Sequence, residues 1–374
     1  MAWSRPRTLL YSQRKLDFMV YQCWKYEFED VIGEIDSVEI VAPSPRAESR
    51  WGRLGRRLLE RSRRGAGLPP GAPFAELEIT RDYDLFFATF LFAAEVGNLA
   101  AVKGWRERCK RTACFLGEIW TKDVEMLRIY APILRQFDHV FSHVGASLPL
   151  LRETLGKPCH LLPVGVDAIR FCPLPNSPAR VVDCYSFGRR VSTIHQALLD
   201  LSGKTSFFYV YDTVNNFAVI DPAQHRRAVA EMAKRSRYLI AYKHNINAPH
   251  LTGGDEALGS RLFEGMAAGA VLLGVAPSCP EFDLCFDWPD AVVELPTETP
   301  EVERFLSELT AQPERLRRAR RHNVVGVLRR HDWSQRWATV LETMDLPALE
   351  GMQGRRRRLA ELTDLADKLP SFGE

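Results

Sequence analysis

The sequence lacks an apolar run near the ~18–20 residues that cross a bilayer. It has no C-x-x-C pair and no excess of one charge sign: 50 Lys+Arg stand against 47 Asp+Glu, a net of +3. The first absence excludes a membrane-spanning helix. The second leaves eight cysteines scattered (Cys23, Cys109, Cys114, Cys159, Cys172, Cys184, Cys279 and Cys285). That spacing argues against a structural zinc site and for reduced, inert thiols in a cytosolic setting. The third sets the chain apart from generic nucleic-acid binders, which carry a basic excess. Neither G-x-G-x-x-G nor G-x-x-x-x-G-K-[ST] occurs. The N-terminus, Met1–Arg7, has no apolar signal-peptide core. What remains is an enzyme-like composition, 374 residues with 46% hydrophobic and 26% charged, long enough for two domains.

Along the chain, short apolar runs alternate with helical stretches. Thr8–Ser12, Ser37–Pro43, Asp84–Phe92, Thr112–Leu116, Val140–His143 and Cys159–Val164 read as strands. Leu16–Ile32 and Val124–Phe137 read as helices. Runs of this length between helices predict parallel strands buried on both faces. Phe171–Arg180 holds three prolines and reads as a linker. The rhythm then restarts, with strands at Val181–Phe187, Phe207–Val210, Tyr238–Tyr242 and Val271–Val275. Helices are expected at Pro222–Arg235 and Arg261–Ala268, and from Pro300 to the end. The expectation is an α/β chain of two Rossmann-like domains facing a central cleft. Residues 1–170 would bind the acceptor, residues 171–345 a nucleotide sugar, and a helical tail, 346–374, would pack back on the first domain.

Residues 46–64 carry eight arginines, with Trp51, Leu54, Leu58 and Leu59 at helical spacing. Two readings stand: a basic amphipathic helix resting on an anionic membrane or acidic acceptor, or a crossover helix with a solvated basic face.

The informative segment is Thr252–Gly274, TGGDEALGSRLFEGMAAGAVLLG. Glu256 and Glu264 are separated by seven residues. Leu258, Leu262 and Met266 form a buried helical stripe, and Gly269 suits a left-handed C-cap. A glycine-containing loop entering a helix offers free amides and a positive dipole end, an anion site. Carboxylates on either side could accept hydrogen bonds from sugar hydroxyls while the amides hold a diphosphate between them.

Glu256-Ala257-Leu258-Gly259 followed by Leu262-Phe263-Glu264-Gly265-Met266-Ala267-Ala268-Gly269 resembles the E-x7-E signature of GT-B retaining glycosyltransferases of family 4, the group 1 transferases. Leu258 stands where the family has Phe, and Ala270-Val271 replaces Thr/Ser-Pro-Val. The resemblance implies an EC 2.4 transferase that moves a sugar from a nucleotide-diphosphate donor to an acceptor hydroxyl with retention. It implies no metal and no cofactor beyond the co-substrate. Glu256 would hold donor-sugar hydroxyls near the reacting face, and Glu264 the ribose. Gly254 and the amides of Leu258, Gly259 and Ser260 would hold the diphosphate.

The family also has a G-R pair followed by a lysine six residues after the arginine. Gly188-Arg189 matches, but His195 occupies the lysine position; Arg190 or Lys243 could supply the charge. A cation there would stabilise the leaving diphosphate. His331–Trp337 (HDWSQRW) resembles a closing stretch of the family with an architectural role. Glu118, after a strand of the first half, is a candidate catalytic acid or a helix N-terminal one.

Two patterns are set aside. Asp82-Tyr83-Asp84 imitates a D-x-D metal motif but leads into a strand, and His139 and His143 do not form a helical zinc pair. The acceptor (a sugar, a lipid-linked or another small molecule), the nucleotide base and the donor sugar are not legible. Two alternatives remain: a nucleotide-sugar epimerase or phosphorylase on the same fold, and a non-catalytic nucleotide-sugar-binding relative. The expected location is cytoplasmic, with residues 46–64 as the contact if the chain is peripheral at the inner face of the membrane. No nucleic-acid partner is expected.

Overall fold

The structure is a computed structural model that describes residues 5–44, 74–212 and 217–369. The basic stretch 46–64 lies outside the described residues. The chain divides into two compact units, Met1–Leu162 with Glu342–Pro347 and Pro163–Leu341 with Ala348–Glu374.

The first unit is built on a six-stranded parallel sheet in the order β2-β1-β4-β6-β7-β8. Its strands are β1 (Thr8–Tyr11), β2 (Val38–Val41), β4 (Tyr83–Phe90), β6 (Cys109–Leu116), β7 (His139–Ser142) and β8 (Cys159–Leu161). A small parallel pair, β3 (Leu77–Glu78) and β5 (Val102–Lys103), stands apart from it. The central strands are apolar on both faces, so helices must cover both. Phe86 stacks on Trp105 at 4.7 Å, and Trp105 on Phe137 at 4.9 Å. The first helix runs Cys23–Ile35, later than the expected Leu16–Ile32. The delay has a local cause: the Asp17 carboxylate accepts the Met19 amide at 2.9 Å and fixes a turn after β1.

The second unit has a five-stranded parallel sheet in the order β10-β9-β11-β12-β13. These strands are β9 (Val182–Ser186), β10 (Tyr209–Tyr211), β11 (Ser236–Ile240), β12 (Val271–Gly274) and β13 (Val293–Glu294). Both sheets are thus doubly wound, as the GT-B resemblance implies. In the second, strand order reverses between β9 and β11. The crevice outside the carboxyl ends of those strands is where such sheets bind ligands.

The domain borders differ from the expectation. The first unit ends at Leu162, not at 170. The proline-rich stretch is not a free linker: Phe171, Cys172 and Leu174 are buried. The Arg180 guanidinium donates to the carbonyls of Lys234, Ser236 and Ala268 at 2.7–3.1 Å. The tail is also corrected. Helix Glu350–Lys368 belongs to the second unit, not the first. Its Arg355 is buried and bonds Asp167 at 2.6 Å and Asp332 at 2.8 Å. Asp332 and Trp333, in the closing stretch, are themselves buried; Trp333 lies against Gly165.

Candidate active site

The E-x7-E segment does not form one helix. The helix begins at Ser260 and ends at Ala267, so Glu256 lies in the loop ahead of it and only Glu264 is helical. Gly253 and Gly254 turn that loop at φ +68° and +91°, a conformation that L side chains resist. Gly259 is the N-cap and has no side chain to cap with; the Leu262 amide donates to the Gly259 carbonyl at 3.2 Å, which leaves the Ser260 and Arg261 amides without a side-chain cap. Gly259 also gives room to a neighbour: a Cβ there would stand 3.3 Å from His244 Nε2. Leu258 is buried and offers backbone only.

Lys243, just after β11, forms an ion pair with Glu256 Oε1. The other oxygen of Glu256 accepts the Ser278 amide at 2.5 Å. These side chains keep partial access, 30% for Lys243 and 22% for Glu256, enough for a ligand to reach both. His244 hydrogen-bonds the backbone of Leu258. Burial, then the Arg261 and Arg189 cations, lower its pKa to about 4. It is therefore a neutral support under the helix tip.

Glu264 is enclosed. Its Oε1 pairs with Arg226 Nη1 at 2.5 Å, with side chains only 1% and 5% exposed. Its Oε2 is buried and has no hydrogen-bond partner among the described residues. The Arg226 guanidinium also covers the Phe171 ring at 5.0 Å. A buried carboxylate needs such a counter-charge to stay ionised.

The loop after β9 follows from two constraints. Gly188 adopts φ +74°, and its amide donates to Asp212 Oδ2 at 2.6 Å. Arg261, on the first turn of the helix, donates to the carbonyls of Phe187 at 3.3 Å and Arg189 at 3.2 Å. This clamp ties the Gly188-Arg189 loop to the helix that carries Glu264. Arg189 is exposed, and its charge acts on His244 and Arg261. Arg190 donates to the Asp212 carbonyl at 2.8 Å and covers Tyr211 at 5.5 Å.

His195 sits apart from Lys243 in its bonding. Its Nδ1 shares a hydrogen bond with the Tyr209 hydroxyl at 2.8 Å, and its ring meets Tyr211 at 4.8 Å. Burial and then Arg190 lower its pKa. Glu118 follows the carboxyl end of β6 in the first unit and is half-buried. The two motifs set aside earlier have structural partners. Asp82 pairs with Arg108 and Asp84 with Lys110. His139 Nδ1 faces His160 Nε2 at 2.8 Å, while His143 packs against Trp24 and Phe115. No group of three or more potential metal ligands occurs among the described residues.

The sequence reading missed Arg226, Asp212, His244, Arg261 and Ser278. Only His244 carried a signal, as the neighbour of Lys243 after a strand. Arg226 lies in an amphipathic helix, Pro222–Lys234, beside other basic residues, where nothing marks it as the one that is buried.

Residues 191–342 match the family model described as glycosyl transferase-like. No curated protein sequence matches the chain. Among solved structures, the N-terminal domain of Candida albicans trehalose-6-phosphate phosphatase is similar at TM-score 0.54 and 6% identity, over 92% of this chain and 98% of that one. That likeness shows a common fold. TarM is similar at TM-score 0.44 and 8% identity over 70% of this chain, which spans about half, 54%, of TarM's length. The pneumococcal O-GlcNAc transferase GtfA, in complex with UDP and GlcNAc, is similar at TM-score 0.40 and 10% identity, over 78% of this chain and 60% of that one.

Proposed function

We propose that the chain is a glycosyltransferase that moves a sugar from a nucleoside-diphosphate sugar to an acceptor hydroxyl with retention and without a metal. One observation carries this reading. Lys243 and Glu256 are paired in the loops around an uncapped helix tip, and that tip follows the strand at the topological switch point of the second sheet. The match of residues 191–342 to the glycosyl transferase-like model covers the same residues.

In this proposal the diphosphate takes the first-turn amides and the Lys243 ammonium, and Glu256 turns from Lys243 to the hydroxyls of the donor sugar. Lys243, not His195, fills the role of the family lysine, because the His195 ring is held by Tyr209. Glu264 Oε2 accepts a ribose hydroxyl. Arg189 adds charge beside the leaving group. The bond from the anomeric carbon to the diphosphate oxygen breaks as the acceptor oxygen bonds to the same face. The acceptor proton passes to the departing phosphate. A cation ~4 Å from the new charge is worth ~4 kcal/mol at an effective dielectric of 20. Fixed cations and helix amides thus supply what a metal would otherwise supply.

The test is nucleoside-diphosphate release from a panel of nucleotide sugars, with and without acceptors and with a chelator present. Acceptor-dependent release that survives chelation, with an unchanged anomeric configuration in the product, is expected. Conversion of the donor with no acceptor would instead establish an epimerase. Donor binding without turnover would establish a non-catalytic relative.

A further inference from the structure

The first unit carries a polar and aromatic cluster that the donor chemistry does not use. It is assembled from three loops, each following the carboxyl end of a strand: Ser12–Tyr21 after β1, Leu91–Glu95 after β4, and Gly117–Glu118 after β6. Those strands are neighbours in the sheet, and the order reverses beside β1. This is the position where open parallel sheets take ligands.

Two features of the cluster call for an occupant. Tyr21 is 38% exposed and Phe18 45% exposed. Tyr21 meets Phe92 edge-on, with centroids 5.5 Å apart and planes at 71°. Aromatic surface left to water at a sheet's carboxyl end is costly unless something stacks on it. The second feature is Gln22, which is wholly buried. Its Nε2 donates to Asp17 at 3.0 Å and Glu95 at 2.5 Å. Its Oε1 has no hydrogen-bond partner among the described residues. Flipping the amide would only set an oxygen against two carboxylates. A buried acceptor without a donor costs ~1–3 kcal/mol, which an entering hydroxyl would relieve.

We propose that this end of the first sheet is a sugar-binding acceptor subsite: Tyr21 and Phe92 take the apolar face of an uncharged sugar ring, while Asp17 and Glu118 accept its hydroxyl protons. The assignment of this sugar as acceptor rests on the transferase reading above. The charge of the region selects a neutral ring over a phosphorylated one. Burial, then Asp17, which also accepts the phenol proton in a hydrogen bond, and then Glu95 and Glu118, raise the Tyr21 pKa, so the phenol stays protonated and adds no negative charge. Two basic side chains packed nearby are already engaged, Arg14 with Glu29 and Asp30 and Lys25 with Glu95. An anionic acceptor would meet carboxylates with those cations already taken.

The experiment uses the full chain and saturation-transfer NMR with methyl glycosides of glucose, galactose, mannose and N-acetylglucosamine. Glucose 6-phosphate is the anionic comparison. At least one glycoside should bind. Tyr21→Ala should weaken it about tenfold or more, Tyr21→Trp should retain it, and glucose 6-phosphate should bind about tenfold more weakly than the best glycoside. Calorimetry with UDP and GDP on Tyr21→Ala should show unchanged affinity. The proposal is overturned if no glycoside binds, if Tyr21→Ala stays within about twofold of wild type, or if the phosphorylated sugar binds as well. If glycosides bind but neither UDP nor GDP does, the transferase reading fails and the sugar site stands without it.

Discussion

Arg226 lies 2.5 Å from Glu264, and the pair is almost wholly out of water, at 5% and 1% exposure. One carboxylate oxygen is spent on the guanidinium; the other has no partner among the described residues. The pair therefore leaves one carboxylate oxygen unbonded in the interior of the second unit, a cost that a hydrogen-bond donor reaching it would offset.

Breaking that pair should be severe. Arg226→Met is expected to lower stability by ~3–5 kcal/mol, because Glu264 is left as an unpaired buried charge. Replacing both partners, Arg226→Met with Glu264→Leu, should return most of the loss. Nucleotide affinity should not return. Denaturant melts of the three proteins, with UDP and GDP calorimetry, check both halves. Recovery of binding in the double variant would remove Glu264 from the ribose site.

The Lys243–Glu256 pair should behave in the opposite way. Both side chains are partly solvated, so Lys243→Ala or Glu256→Gln should change stability by ~1 kcal/mol or less. Turnover should fall by about two decades or more for either. A Glu256→Gln enzyme within about threefold of wild-type turnover would show that the site is misassigned.

Acid should destabilise the fold from about pH 6.5 downward. Burial pushes His244 down to about 4 and His331 down to about 3. Both are neutral in the folded chain at neutral pH. Once unfolded they take up protons near pH 6.5, so their contribution is whole above that pH and is lost as pH falls towards the folded values. Each adds up to ~1.4 kcal/mol per pH unit to the slope over that window. Urea melts between about pH 7 and about pH 5 measure the slope; a flat profile would contradict the neutral assignment of the two imidazoles.

Gly188→Ala isolates backbone strain. No atom lies within 4 Å of the Cβ it would add, and φ is +74°. The expected loss is ~1 kcal/mol from the left-handed conformation alone. Gly188→Asn should lose less, because Asn tolerates that region. If the loop clamp matters to the donor, UDP or GDP affinity should fall in the same order.

Much of the fold was legible from periodicity. Apolar runs as short as Thr112–Leu116 and Val271–Val275 fit strands of a sheet covered on both faces, and both lie in such strands. The helix that holds Glu264 was legible for the same reason, through Leu262 and Met266. Its start at Ser260 lies one residue from the expected Arg261, and Gly253 and Gly254 turn the loop that leaves Glu256 outside the helix.

The sequence by itself determined that this chain builds parallel strands between helices and that Glu256 and Glu264 belong to one loop-and-helix segment. Spacing carries that information because strand and helix repeats are local. Only the tertiary structure decided that Arg226 pairs with Glu264 across 38 residues, and that Lys243 rather than His195 meets Glu256. It also decided that the tail locks onto Asp167 and Asp332 through Arg355. Those choices turn on which charges are driven out of water together, and burial is a property of the packed chain, not of any short stretch of it.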